Sequence, residues 1–289
     1  MLFQNILNGL TNGSLYALMA VGVTMVYKSL GMLNFSHGDI MMIGTFLCLT
    51  LVNLAGLPLL PAILIGVAAT AVLGFVLERL VLRRVEFSSF TNLLVATVGV
   101  SFILRNGAMV VFGTNPQKFP SLFSQTPIDI AGLKIPPQSI GIILVSLALI
   151  TGLHLFFTKV KVGKCMELAS SNAQSAAMMG INVSHMRFLT FGISAALACI
   201  AGALIAPLTY ARPDMSAAIG LKAFAAAILG GIGNLWGALL GGLILGTVEA
   251  LGAGYISSAY RDAFSFILLM IVLFVKPTGL LNKKIENKL

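Results

Sequence analysis

Long apolar runs, separated by short polar or basic clusters, organise this sequence. They lie at about 5–27, 40–54, a third run ending at Glu78, then 92–112, 140–157, 186–210, 223–250 and 263–275. None alternates strictly between apolar and polar residues, as a half-buried strand or a barrel strand would. The longer runs exceed the roughly 20 residues that a helix needs to cross a hydrocarbon core. The expected fold is therefore an all-α polytopic membrane protein, a bundle of helices with all backbone groups bonded internally. Two places break the pattern. Asn34, Ser36, Gly38 and Asp39 interrupt it before the second run, and Gly230, Gly231, Gly233 and Asn234 interrupt the run 223–250. Broken or half helices are expected near 30–39 and 230–236, which gives about eight or nine segments in all.

Composition agrees with that pattern. The chain has 289 residues, of which 58% are hydrophobic and 9% charged, and its mean hydropathy is +0.99. A soluble domain carries about 25% charged residues, so no soluble lobe is expected and 1–289 reads as one membrane domain. The formal net charge of +9 would suggest nucleic acid in a soluble protein. Here most Lys and Arg flank the apolar runs, where they act as topology signals, and no nucleic-acid partner is expected. Lys28 follows the first run, and Glu78, Arg79, Arg83 and Arg84 follow the third; Lys276, Lys283, Lys284 and Lys288 follow the last. These ends are expected to be cytoplasmic, with the N-terminus outside and the proline-rich loop 113–138 external. An outside N-terminus and an inside C-terminus require an odd number of crossings, which favours nine if 223–250 crosses twice. The N-terminus lacks a basic region before its apolar run, so no cleaved signal peptide is expected. Cys48, Cys165 and Cys199 are far apart and form neither a metal pattern nor a disulfide framework.

The longest stretch that cannot sit in lipid is 159–187. Lys159, Lys161 and Lys164 open it and Arg187 closes it. Met166, Ala169, Ala173, Ala176, Ala177 and Gly180 recur at three- and four-residue steps, which predicts a short helix with one smooth face. Glu167, Ser170, Ser171, Asn172, Gln174 and Ser175 fill much of the rest. Two readings stand side by side: the face docks in a groove of another protein, or it packs on the chain's own bundle.

Polar groups inside the apolar runs are costly and need a reason. Asn34 or Ser36 could cap a helix while Asp39 meets its positive N-terminal end, with His37 beside them. Equally, a helix that starts within the protein could line a solute path with Asn34, Ser36, His37 and Asp39. Gly233, Gly237 and Gly241 repeat every four residues, as do Gly242 and Gly246, and predict close helix packing. Gly231 and Gly233 do not begin a nucleotide loop, because no strand precedes them and no Lys-Ser/Thr follows. Asn234 and Trp236 mark the break between two half-helices, where unpaired backbone either lines a cavity or is capped. Glu249 lies near the end of that run, to pair with a base, to line the route or to reach the outer interface. Arg105, within the fourth run, is expected to snorkel to the outer interface. No cluster supplies a nucleophile or a metal set, so the chain is not expected to be an enzyme.

Three stretches, in order, resemble one family. The segment NGLTNGSLYALMAVGVTMVYKSLGMLNFSHGDIMMIG is similar to the amino-terminal signature of branched-chain amino acid ABC importer permeases of the LivH type. KAFAAAILGGIGNLWGALLGGLILGTVE is similar to their late glycine-rich signature, and SSNAQSAAMMGINVSHMRFLTF resembles their cytoplasmic coupling loop. That resemblance implies a single transmembrane permease domain, 1–289, with a coupling segment at 159–187, an external loop at 113–138 and a cytoplasmic tail at 276–289. It implies coupling to an ATPase through Glu167, Ala169, Ala173, Ala176, Ala177 and Gly180. The implied partners are a second, LivM-type permease chain, two ABC ATPases and an external substrate-binding protein. ATP and Mg would be held by the ATPases, with no cofactor in this chain. The implied cargo is leucine, isoleucine or valine; urea, short amides or other amino acids are the alternatives within the class. A channel or ion-coupled carrier working alone, with Asp39 or Glu249 binding the ion, is the alternative from another class. The implied location is a bacterial inner membrane.

Overall fold

The computed structural model describes residues 2–31, 33–85, 90–123, 126–130 and 133–281. The basic tail residues Lys283, Lys284 and Lys288 lie outside them. Eleven α-helices occur among the described residues: α1 (Leu2–Leu30), α2 (His37–Asn53), α3 (Leu59–Leu77), α4 (Phe90–Phe112), α5 (Pro137–Lys159), α6 (Lys161–Ser171), α7 (Ala173–Met178), α8 (Val183–Thr209), α9 (Met215–Gly230), α10 (Leu235–Tyr255) and α11 (Arg261–Val275). A π-helical turn, Glu78–Leu82, extends α3, and a 3-10 turn, Ser258–Tyr260, precedes α11.

Counting the π turn with α3 and the 3-10 turn with α11, seven helices among the described residues are long and apolar enough to cross a membrane, and α2 and α9 are shorter apolar helices of 17 and 16 residues. The run 223–250 is thus two helices, α9 and α10. The first of them begins earlier than the apolar run suggested and carries Lys222 inside it. The all-α expectation needs one small addition. Ile128–Ile130 (β1) and Leu133–Ile135 (β2) pair antiparallel in the loop 113–138, with Asp129 opposite Lys134.

Two helices form the axis of the bundle. Within their most apolar stretches, 89% of α1 and 72% of α8 is buried, against 11% for α4 and 6% for α11. The reason for α1 is legible in its small residues. A side chain at Gly9 or Gly13 would strike the backbone of Gly242, Leu243, Gly246 or Thr247 on α10, and one at Gly242 would strike Ala17. Two backbones therefore touch along several turns, which lipid-facing side chains alone would not hold together. Cys48 of α2 and Cys199 of α8 pack their thiols 3.7 Å apart in the core, a proximity invisible in a sequence where they are distant.

The bundle has two chemically distinct ends. At one, Lys28 pairs with Glu167, Arg79 and Arg83 face Asn182, Ser184 and His185, and Leu280 and Leu281 donate their amides to the carbonyls of Leu229 and Gly230. At the other, Gln117 and Ala211 exchange backbone hydrogen bonds, Gln138 bonds the Leu204 carbonyl, and Asn5 packs against Gly254. The basic residues gather at the first end.

Candidate functional site

Gly31, with φ of +75°, lets the chain reverse after α1. Residues 33–36 then climb back along the bundle, so α2 starts beside Gly22 of α1, where the His37 ring occupies the space a side chain would need. Asn34, Ser36, His37 and Asp39 are all buried. The Asn34 Oδ1 accepts from the Ser36 amide at 3.1 Å and from the Ser36 hydroxyl at 2.7 Å. Ser36 occupies the cap position of α2 but makes no side-chain cap bond, because its hydroxyl is turned to Asn34. The Ser194 hydroxyl donates to the Gly22 carbonyl at 3.0 Å and lies 3.4 Å from His37 Nδ1.

Asp39 decides what this cluster does. Its Oδ1 accepts from Arg105 Nε at 3.1 Å, and its Oδ2 accepts from the Ser101 hydroxyl. Arg105 Nε also lies 3.1 Å from the hydroxyl of Ser216, in the first turn of α9. Arg105 therefore does not snorkel outwards; it turns inwards, because a carboxylate 1% exposed needs a matching charge more than the guanidinium needs the interface. The pair ties α2, α4 and α9 together.

The second break is a turn built by conformation. Gly231 and Gly233 adopt φ of +100° and +95°, values that L side chains rarely adopt. Gly233 has open space around it, so it serves the turn and not the packing face expected of it. The Asn234 side chain accepts from the amides of Trp236 and Gly237 at 3.0 and 3.1 Å, capping α10. Asn234 is thereby occupied as a cap. Gly237 and Gly241 face Gly230 and Ala226 of α9, while Gly242 and Gly246 face α1.

Glu249 is 0% exposed and accepts four hydrogen bonds. Its Oε1 receives Lys222 Nζ at 3.0 Å, the Tyr16 hydroxyl at 3.1 Å and Arg261 Nε, and its Oε2 receives the Ser265 hydroxyl at 2.8 Å. Lys222 also reaches Asp262 at 2.7 Å. Two bases and two acids thus meet across α1, α9, α10 and α11. Lys222, Tyr16, Ser265 and Asp262 were not singled out from the sequence. The signal that could have found Lys222 is a lone lysine in an apolar run, which needs a carboxylate.

The short helix expected over Met166 to Gly180 is two helices, while Gly180, at φ +77°, ends the segment and the Asn182 side chain caps α8. Asn172 leaves helical geometry at φ −151°, and its side chain caps the Ser175 amide, splitting the segment into α6 and α7. Met166, Ala169 and Ala176 turn into the chain's own bundle and are buried. Ala173, Ala177 and Gly180 are exposed, as is Glu167, which holds Lys28 at 3.1 Å. Met178 and Met179 are 78% and 70% exposed at the end of α7.

Nine apolar helices among the described residues, crossed by buried ion pairs and with an exposed module at the basic end, define a multi-pass membrane protein. A family model described as the permease component of branched-chain amino acid transport systems matches residues 5–273, and the chain belongs to that family. It is 35% identical to the high-affinity branched-chain amino acid transport system permease protein BraD of Pseudomonas aeruginosa, over 97% of this chain and 95% of that protein. It is 36% identical, with the same coverage, to the corresponding permease protein LivH of Salmonella typhimurium. Among solved structures, PsaBC from Streptococcus pneumoniae in complex with Fab superposes with a TM-score of 0.52 at 14% identity. That match covers 94% of this chain and 91% of that one, and it speaks to the fold alone.

Proposed function

We propose that this chain is the membrane-spanning permease of an ABC importer for leucine, isoleucine and valine, lying in a bacterial inner membrane. A LivM-type permease is its partner in a heterodimer, an external binding protein delivers the solute, and two ATPases bind and hydrolyse ATP with Mg. The basic end is cytoplasmic by the positive-inside rule, which sets the N-terminus outside and the C-terminus inside. The observation that carries the reading is the α6–α7 module. Two large apolar side chains, Met178 and Met179, stand in water at the end that also holds Lys28, Arg79 and Arg83. Exposed methionines at such a place suit a partner's groove, because their flexible thioethers fill irregular surfaces. The docking face is then Ala173, Gln174, Ala177, Met178 and Met179, and the buried Met166, Ala169 and Ala176 hold the module on the bundle.

An ion-coupled carrier would need an intramembrane acid free to bind and release its ion. Asp39 and Glu249 are each engaged by arginine or lysine, which favours the ATP-driven reading. The test is uptake of radiolabelled leucine by proteoliposomes holding this chain with the permease, ATPases and binding protein encoded beside it. Uptake should require ATP and the binding protein, and should be competed by isoleucine and valine. Competition by urea or acetamide instead would redirect the substrate. Steady leucine flux through the purified chain alone, without nucleotide, would sink the reading.

A further inference from the structure

The two peripheral helices α4 and α11 are held in different ways. α11 is fixed near both ends: Arg261 and Ser265 bond Glu249, and beyond its far end the amides of Leu280 and Leu281 bond carbonyls of α9. α4 is held more sparsely among the described residues. It lays one narrow seam, Leu93, Thr97, Val100 and Ala108, on the bundle, and Phe112 at its end stacks on Phe46 of α2. Between these contacts sits a charged attachment, the Asp39–Arg105 pair with Ser101 and Ser216.

The geometry of that attachment is one-sided. Asp39 is sealed in the bundle, whereas the Arg105 side chain is 27% exposed. Nε makes the two good bonds, and the contact from Nη2 to Ser101 is long at 3.5 Å. Such a pair is strong while its open side stays dry and weakens once water reaches it. Ser101 and Arg105 are both on α4, so movement of this one helix breaks the bonds to Asp39 and Ser216 together. α4 also follows the π-helical turn Glu78–Leu82, and π turns are wide, irregular windings often found at functional sites.

We propose that α4 is the element that shifts during the transport cycle, and that Asp39, Ser101, Arg105 and Ser216 form its latch, closed in this conformation and released in the other. The proposal rests on the importer reading above. Arg105 acts here as a positioning residue, and the switch lies in whether its bonds to Asp39 and Ser216 are made.

Two measurements test it on the assembled transporter, starting from a parent in which Cys48, Cys165 and Cys199 are alanine, so that native thiols do not react. In the first, Asp39→Cys, Ser101→Cys and Arg105→Gln are added, and the two thiols are bridged by a one-carbon bifunctional methanethiosulfonate. Leucine uptake should fall about ten-fold on bridging and return on reduction by dithiothreitol, the same preparation serving as its own control. Complete bridging, read as loss of both alkylatable thiols, with uptake unchanged would overturn the latch. In the second, the latch is left native and Val100→Cys is placed in the buried seam. Its labelling by N-ethylmaleimide should rise several-fold when ATP, leucine and binding protein start turnover; unchanged labelling during measured uptake would also overturn the proposal. A wild-type complex that takes up no leucine at all would count against the importer reading, not the latch.

Discussion

The ammonium of Lys222, on α9, lies 3.0 Å from the carboxylate of Glu249, on α10, and both are enclosed by the bundle. Taking either charge from water is expensive, and their attraction offsets that cost only while both are present with their hydrogen-bond partners. Tyr16 and Ser265 complete the set from α1 and α11.

Glu249→Ala should therefore be severely destabilising, by about 3–5 kcal/mol, since it leaves Lys222 in the bundle without this partner. The double variant Glu249→Gln with Lys222→Met should recover most of that loss. Detergent-solubilised yield and thermal unfolding, followed by size-exclusion chromatography, measure both. A double variant whose loss equals the sum of the two single losses would show that the pair does not interact.

Glycines on the two helices should respond according to what faces them. Gly246→Leu and Gly13→Leu force a side chain into the opposite backbone and should abolish folded protein, beyond the 1–3 kcal/mol of ordinary overpacking. Gly99→Ala and Gly107→Ala on α4 meet open space and should change stability by no more than about 0.5 kcal/mol, apart from a small gain in helix propensity. Equal tolerance at all four positions would contradict the α1–α10 contact.

Removal of a cap should be milder. Asn234→Ala deletes the acceptor for two amides at the start of α10 and should cost about 1 kcal/mol, lowering the unfolding temperature without loss of assembly. Asn234→Ser or Asn234→Asp should restore most of it.

Exposed and buried positions of α7 should separate assembly from folding. Met178→Asp with Met179→Asp should leave the permease folded yet weaken capture of the ATPases at least ten-fold in co-purification. Ala176→Trp, at a fully buried site, should lower the yield of the permease itself. Retention of the ATPases by the double aspartate variant would move the docking face elsewhere.

Much of the fold was legible because lipid imposes a simple rule: runs of apolar residues long enough to span, with bases at their ends, are hard to read otherwise. The breaks near 30–39 and 230–236 were legible because polar residues and glycines interrupt apolar runs there, although Asn234 caps α10 while Ser36 makes no side-chain cap bond. What escaped the sequence was partnership. Arg105 read alone suggests the interface, and only the fold brings Asp39 to it from a distance of 66 residues. Lys222 was passed over as the edge of an apolar run, and its partner Glu249 was seen without it. The small residues of 159–187 suggested one face, because spacing does not record that the Asn172 side chain ends one helix and starts another.

The seam between α1 and α10 also has a consequence for biosynthesis. Tyr16 meets Glu249 across 233 residues, so the central helix leaves the ribosome long before the helix that covers it. Until then its glycine notch is open to neighbouring hydrocarbon or to the insertion machinery. A contact so distant along the chain forms late and slowly. Nascent chains cut short before α10 should leave the axial helix without its mate, to be cleared by membrane proteases instead of persisting as a smaller working unit.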